Sequence, residues 1–180
     1  MVSKTIFIYL VIFFSCIISG CHNFHDQTNL SISGLNNHLE CTTVKNNLNK
    51  STPIVLYKRM VDCIKLHQYE KGVFLYSLAG SYTYYDANRI NTFYAKKVHH
   101  NLLIKNLAFL TKAESNSFWI ILNNFMQQDK QKKMICSKIE QVGAPDYQPI
   151  YMLRNKIRTI SRYDIDYVLF KKSLDNYLNC

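Results

Sequence analysis

Apolar residues are arranged in three different ways along this chain of 180 residues. Residues 6–18 form a long apolar run that follows a single charged residue, Lys4. Residues 22–52 are polar, contain seven asparagines and show no sustained period. From residue 53 onwards, apolar residues recur every three to four positions, which is the spacing of an amphipathic helix. The pattern therefore predicts a leader at 1–20, a polar tether at 21–52 and a helical domain at 53–180.

Six helices are predicted in the helical domain. They are residues 53–67 and 69–80, a helix that starts within 81–90 and reaches about 110, and helices that follow Thr111, Asp129 and Ser161. Residues 81–89 are expected to contain a turn, and residues 146–160 are expected to be irregular. A short apolar run does not distinguish a helix from a strand, so residues 73–78 could also form a strand.

Residue types at the predicted helix ends support these boundaries. Pro53 suits a first helical turn, with Thr52 before it as the N-cap. A hydroxyl residue followed three positions later by a carboxylate is the pattern of a capping box, and it occurs at Thr111–Glu114 and Ser161–Asp164. Asp129 can cap the fifth helix, and Gly143 can end it.

The composition also favours an all-α fold. The chain has only five glycines and three prolines, which is fewer than the many tight turns of an all-β sandwich need. Apolar residues make up 48% of the chain and include 13 tyrosines and 10 phenylalanines, so a substantial core can form. We therefore expect one compact bundle of about six helices.

The leader has the organisation of a secretory signal peptide, with a charge, an apolar run and small residues in that order. Its apolar run is 13 residues long, whereas a helix that spans a bilayer needs about 20. The end of the leader and the first residue after it, Ile18-Ser19-Gly20-Cys21, resemble a bacterial lipobox. The alternative is an ordinary cleaved signal that happens to end in cysteine.

The resemblance to a lipobox implies that Cys21 becomes the first residue of the mature protein and carries acyl chains. Two or more such chains give a stable membrane anchor. In lipoproteins an aspartate after the cysteine marks retention in the inner membrane, and this chain has His22 there. The resemblance thus implies an anchor in the outer membrane, with the protein facing the periplasm.

The mature chain would have 21 basic residues and 12 acidic ones, a net charge of +9, because only Lys4 is lost with the leader. In an exported protein this charge favours anionic lipid head groups, cell-wall polymers or an acidic protein as partners, and nucleic acid is not expected. The basic residues are scattered along the chain, so much of the charge is expected to lie on a solvated surface.

Four cysteines remain in the mature chain besides Cys21, namely Cys41, Cys63, Cys136 and Cys180. An even number in an oxidising compartment suggests two disulfides, and three connectivities are open. We expect Cys63–Cys136, because both residues lie in predicted helices whose apolar faces could meet, and therefore Cys41–Cys180. None of the four has the short CxxC spacing of a metal site, and no metal or other cofactor is predicted.

Two further resemblances lie in the first half of the helical domain. Tyr69-Glu70-Lys71-Gly72, followed by Tyr76 and Ala79, resembles the second helix of a tetratricopeptide hairpin, although Met60 stands where the first helix should have a small residue. The hairpin would span residues 53–80. Residues 56–89, with Leu78-Ala79-Gly80-Ser81-Tyr82, are also similar to small uncharacterised lipoproteins of Gram-negative bacteria, a resemblance that implies no activity.

No recognisable catalytic motif is present in the sequence. His99 and His100 are adjacent, so on a helix they point about 100° apart and cannot bind one metal as an i, i+4 pair would. Asp164 and Asp166 are not expected to form an acid–base pair, because Asp164 is assigned to a cap. Cys63 or Cys136 could be a nucleophile, but structural disulfides are expected for both.

An aromatic and charged cluster at Tyr82, Tyr84, Tyr85 and Arg89 is the candidate protein-binding site, since tyrosine and arginine are enriched at binding hot spots. The alternative is that these residues pack between helices. We expect a non-enzymatic lipoprotein that binds another protein, either in envelope assembly, as pilotins do, or as immunity to a toxin. The rival hypothesis is an enzyme acting on the cell wall or lipids, with Glu70, Asp86 or Asp146 as its acidic residue.

Overall fold

A computed structural model describes Cys41, residues 47–153 and residues 165–180, all within the compact unit Ile32–Cys180. Six α-helices occur in these residues, together with short 3₁₀ turns at Leu48–Lys50 and Ile150–Met152, and no strand is found among them. The helices are α1 (Pro53–Lys65), α2 (Tyr69–Ile90), α3 (Phe93–Leu107), α4 (Lys112–Gln127), α5 (Asp129–Val142) and α6 (Tyr167–Leu178). The prediction of an all-α domain is confirmed.

Helix α2 is the central element of the domain. It packs against each of the other five helices, and 14 of its 22 residues are buried. At about 1.5 Å per residue it is about 33 Å long, which is enough for one helix to contact all the others. A helix that is apolar on most sides belongs in a core, and residues 73–79 show this pattern. The strand considered for residues 73–78 is therefore wrong.

The predicted end of the second helix at Gly80 is also wrong, because α2 continues to Ile90. Gly80 has a packing role instead: the ring of Tyr177 from α6 occupies the place where a Cβ on residue 80 would lie. The helix ends at Asn91, whose φ of 50° is left-handed, and Thr92 then caps α3 by accepting the N–H of Ala95. The turn expected within residues 81–89 lies at Asn91 and Thr92.

Several other predicted boundaries can be compared with the structure. The Thr111–Glu114 capping box is confirmed, with both reciprocal bonds formed at the start of α4. Gly143, with a φ of 88°, follows α5 as predicted. Asp129 was expected to cap α5, but it lies in the first turn after Gln128. Thr52 precedes α1 without a side-chain cap.

The start of the last helix also differs from the prediction. The side chain of Asp166 accepts the N–H of Leu169 at 2.8 Å and caps α6, which begins at Tyr167. The capping box predicted at 161–164 lies outside the described residues. Helices α1 and α2 together span residues 53–90, which is 38 residues against the 34 of a tetratricopeptide repeat, so the extension of α2 departs from that pattern.

The structure contains two disulfides, Cys41–Cys63 and Cys136–Cys180. The prediction of two disulfides is confirmed, but the expected pairing of Cys63 with Cys136 is wrong. Helix α6 packs against α5, so Cys180, two residues beyond the end of α6, reaches Cys136 on α5. Cys63 on α1 is thereby left to bond Cys41, which lies buried against the core.

Part of the segment predicted as a tether is attached to the domain. Cys41 is bonded to α1, and the side chain of Leu48 packs against the main core. The N–H of Asp146 also donates to the carbonyl oxygen of Asn49 at 2.8 Å, which links this segment to the connection after α5. The other residues of the predicted tether, 21–40 and 42–46, lie outside the described part of the chain.

Candidate functional site

A fully buried carboxyl group lies in the C-terminal half of α2. The side chain of Asp86 has no exposed surface. Its Oδ1 atom is 2.6 Å from Nη2 of Arg89, one helical turn further along. Its Oδ2 atom accepts hydrogen bonds from the hydroxyl groups of Tyr147, at 2.9 Å, and Tyr151, at 2.5 Å. Both tyrosines come from the connection between α5 and α6, so the carboxyl group holds that connection against α2.

The arginine of this cluster is enclosed as well. The side chain of Arg89 is only 7% exposed, and its Nη2 also donates to the carbonyl oxygen of Tyr147 at 3.2 Å. Its guanidinium carbon lies 4.9 Å from the centre of the Tyr85 ring, within the range of a cation–π contact. The hydroxyl oxygen of Tyr85 accepts the backbone N–H of Asp166 at 3.0 Å, which connects the cluster to the start of α6.

The protonation states of the cluster follow from its burial. Desolvation raises the pKa of Asp86, while Arg89 and the two tyrosine hydroxyls act in the opposite direction. Desolvation, followed by the charge of Asp86, raises the pKa of Tyr147 well above its ordinary value. Desolvation likewise raises the pKa of Tyr151. Both tyrosine hydroxyls therefore stay protonated at neutral pH and can donate hydrogen bonds to Oδ2 of Asp86.

This geometry suits a structural role better than a catalytic one. A general acid or base must come within hydrogen-bond reach of the group whose proton it transfers. Both oxygens of Asp86 instead face partners from the same chain, and neither the aspartate nor the arginine has substantial exposure. The carboxyl group that looked like a catalytic candidate in the sequence is occupied in joining α2 to the connection between α5 and α6.

The tyrosines predicted as a protein-binding site lie mostly inside the domain. Tyr82 and Tyr85 are fully buried, and both rings make edge contacts with Phe170 of α6. The hydroxyl of Tyr82 donates to the carbonyl oxygen of Gly143 at 2.7 Å. Tyr84 is half-buried, with its ring centre 6.1 Å from that of Tyr177. Tyr82, Tyr85 and the enclosed Arg89 thus pack inside the domain, as the alternative expects, and Tyr84 keeps partial exposure.

The other two carboxylates considered for catalysis do not complete a site with Asp86. Glu70 lies 16 residues before Asp86 on the same helix, which is about 24 Å along its axis. Burial raises the pKa of Glu70, and the positive charge of Lys138 on α5 opposes that change. Asp146 is exposed on the surface. All three residues are candidates for the acidic residue of an enzyme in the sequence, but the fold separates Glu70 and Asp86 by most of the length of α2.

Within the described ranges, no group of three or more histidine, cysteine, aspartate or glutamate side chains is arranged to hold a metal ion. His100 is exposed on α3. No helix in the same ranges is both long enough and apolar enough to cross a membrane.

No protein-family model, curated protein or solved structure matches this chain.

Proposed function

We propose that this chain is a lipid-anchored protein of the bacterial cell envelope, facing the periplasm, that acts by binding another protein. The observation that carries the proposal is the pair of disulfides, which includes all four cysteines after Cys21. Disulfides persist in oxidising compartments and are rare in the cytosol, so the pairing supports export. Export in turn supports a leader that is cleaved immediately before the lipobox-like Cys21.

The disulfide at Cys41 also limits how far the domain can move from its proposed anchor. Cys41 is bonded to α1 and lies 20 residues after Cys21. A stretch of 20 residues can span at most about 70 Å. The proposed anchor would therefore keep Cys41 within about 70 Å of the membrane surface, and His22 after the proposed acylated cysteine favours the outer membrane.

Binding is proposed rather than catalysis because Asp86 and Arg89 are engaged in holding the fold together. An assembly role and an immunity role remain the two versions of this proposal. The net charge of +9 on the mature chain would accelerate association with an acidic partner in either version.

The anchor is tested by growing bacterial cells that express the chain with a radioactive fatty acid. Wild type and Cys16→Ala should carry the label and fractionate with membranes, whereas Cys21→Ala should lose it. Cys16 is the matched control because it is the other cysteine of the N-terminal region and would be removed with the leader. A wild-type chain without label, or a Cys21→Ala chain that retains it, would overturn the proposed anchor.

The absence of catalysis is tested with the purified mature chain on peptidoglycan and on phospholipid vesicles. We expect no turnover of either substrate. Turnover that disappears in Glu70→Gln or Asp146→Asn, while the variant keeps the wild-type circular dichroism spectrum, would establish an envelope enzyme and refute the binding role.

A further inference from the structure

Helix α3 is exposed along its outer side. Among its described side chains, only Ala95 and Val98 are buried, and Leu102, Leu103 and Leu107 are partly buried against the rest of the domain. The helix is also one-sided in charge, because it contains three lysines and no aspartate or glutamate. The helix is thus a basic element attached to the domain by its apolar inner face.

The outward side of α3 combines apolar and basic residues. Phe93 is 75% exposed and Ile104 is 52% exposed, and a separation of 11 residues places them on the same side of the helix. Lys97 and His100 lie between them on that side and are also exposed. We call these four residues the α3 face. Lys96 and Lys105 flank it, and Phe109, just beyond the helix, is 68% exposed.

The positive charge of this surface is not compensated by acidic side chains in the described residues. The salt bridges found there are Arg89–Asp86, Lys132–Asp129 and Lys171–Glu140. None of them includes a lysine of α3. Instead, the ammonium group of Lys97 lies 4.2 Å from the centre of the Phe93 ring. An anionic partner would therefore meet lysines that have no competing carboxylate among these residues.

We propose that the α3 face binds the anionic phospholipid surface of the membrane to which the chain is anchored. This inference rests on the proposed function, because the anchor supplies the membrane. Helices that lie on membrane surfaces combine exposed phenylalanine or leucine with flanking basic residues, as α3 does. All the basic residues within α3 besides histidine are lysines, which are depleted at protein interfaces. The composition thus favours a lipid surface over an acidic protein.

The test uses residues 21–180 with Cys21→Ser, oxidised and without an acyl chain, so its outcome does not depend on acylation. This chain contains the whole compact unit Ile32–Cys180. Its binding is measured by sedimentation with phosphatidylglycerol-containing vesicles and with pure phosphatidylcholine vesicles. We expect binding to the anionic vesicles, and we expect Lys96→Gln/Lys97→Gln to weaken it about 30-fold.

Matched variants separate the α3 face from general charge and apolarity. Lys130→Gln/Lys133→Gln removes the same charge from exposed positions of α5 and should retain most of the binding. Phe93→Ser and Ile104→Ser should weaken binding, whereas Ile120→Ser, at a 62% exposed position of α4, should not. Circular dichroism should be unchanged in all of them, because the substituted side chains are exposed.

Three outcomes would overturn the proposal. One is equal binding to anionic and neutral vesicles. Another is an equal loss of vesicle binding in the double lysine variants of α3 and α5. The third is an absence of binding to the anionic vesicles; if Lys96 and Lys97 were then required for binding an acidic protein, α3 would be a protein-binding surface. A wild-type chain that carries no fatty-acid label, together with intact vesicle binding of the 21–180 chain, would refute the anchor alone.

Discussion

At the scale of single residues, Asp86 shows how a buried charge can be accommodated by its neighbours. Arg89 supplies the opposite charge from the same helix, and two tyrosines donate to the second carboxyl oxygen. Removing an acceptor that several buried donors share leaves those donors without a hydrogen-bond partner, which costs about 1–3 kcal/mol for each donor. The cluster should therefore be sensitive to the loss of the carboxyl group.

We expect Asp86→Asn to lower the free energy of unfolding by about 3 kcal/mol, measured by urea denaturation, because the amide nitrogen cannot accept the hydrogen bonds that a carboxyl oxygen accepts from Tyr147 and Tyr151. The difference in unfolding free energy between wild type and Asp86→Asn should be greatest below about pH 4, which is near the ordinary pKa of an unfolded aspartate. It should narrow as the pH rises through the pKa of the folded carboxyl group. Burial raises that pKa, so ionisation of Asp86 costs the wild type stability that the asparagine variant does not lose.

Asp129→Asn is the control for this experiment, because Asp129 pairs with Lys132 at the same i, i+3 spacing but its side chain is 86% exposed. Little change in stability is expected from it. A deficit of Asp86→Asn that grows with rising pH would contradict the prediction, since it would mean that Arg89 and the tyrosines outweigh burial.

At the scale of elements, the two disulfides attach the outer segments to the helices around α2. Cys136–Cys180 joins α5 to the residues after α6, and Cys41–Cys63 joins α1 to the segment before it. A disulfide stabilises mainly by restricting the unfolded chain, and the effect increases with the length of the closed loop. The sequence separations are 44 and 22 residues, so the first bond should contribute more.

Replacing Cys136 and Cys180 together by serine should lower the free energy of unfolding by about 4 kcal/mol, and replacing Cys41 and Cys63 by about 3 kcal/mol. Urea denaturation of the oxidised variants measures both values. Mass spectrometry of non-reduced peptides from the wild type should show the same two pairs. A peptide that links Cys63 to Cys136 would instead restore the pairing expected from the sequence.

At the scale of the whole molecule, the described domain has one main core, to which α2 contributes residues from Val73 to Tyr85. Trp119 on α4, the single tryptophan of the chain, lies with its ring centre 5.9 Å from that of Tyr76 on α2. Phe118 beside it also contacts Tyr76 and is fully buried. The environment of Trp119 is thus coupled to the helix on which the other elements pack.

We therefore expect one cooperative unfolding transition for the oxidised domain. The urea midpoint measured by Trp119 fluorescence should coincide with the midpoint measured by far-ultraviolet circular dichroism, as two-state behaviour requires. Reduction of the disulfides should shift both midpoints to lower urea together. Two separated transitions would show that α4 unfolds independently of the core, contrary to the packing of Trp119 and Phe118 on α2.

The sequence by itself determined the helical class, most helix positions and the presence of two disulfides. These features depend on local or compositional information. The helical period extends over adjacent turns, and a capping box such as Thr111–Glu114 involves residues only three positions apart. Gly143 could be recognised as a helix end because its positive φ favours a residue without a side chain.

The tertiary structure decided the features that depend on residues distant in sequence. Gly80 looked like a helix end, but it is glycine because Tyr177, 97 residues later, occupies the space beside it. Asp86 is buried and bonded because Tyr147 and Tyr151, 61 and 65 residues away, reach it. The disulfide partners likewise depend on the packing of α6 against α5. Helical periodicity shows which face of each helix is apolar, but only the packing of the helices determines which residues those faces meet.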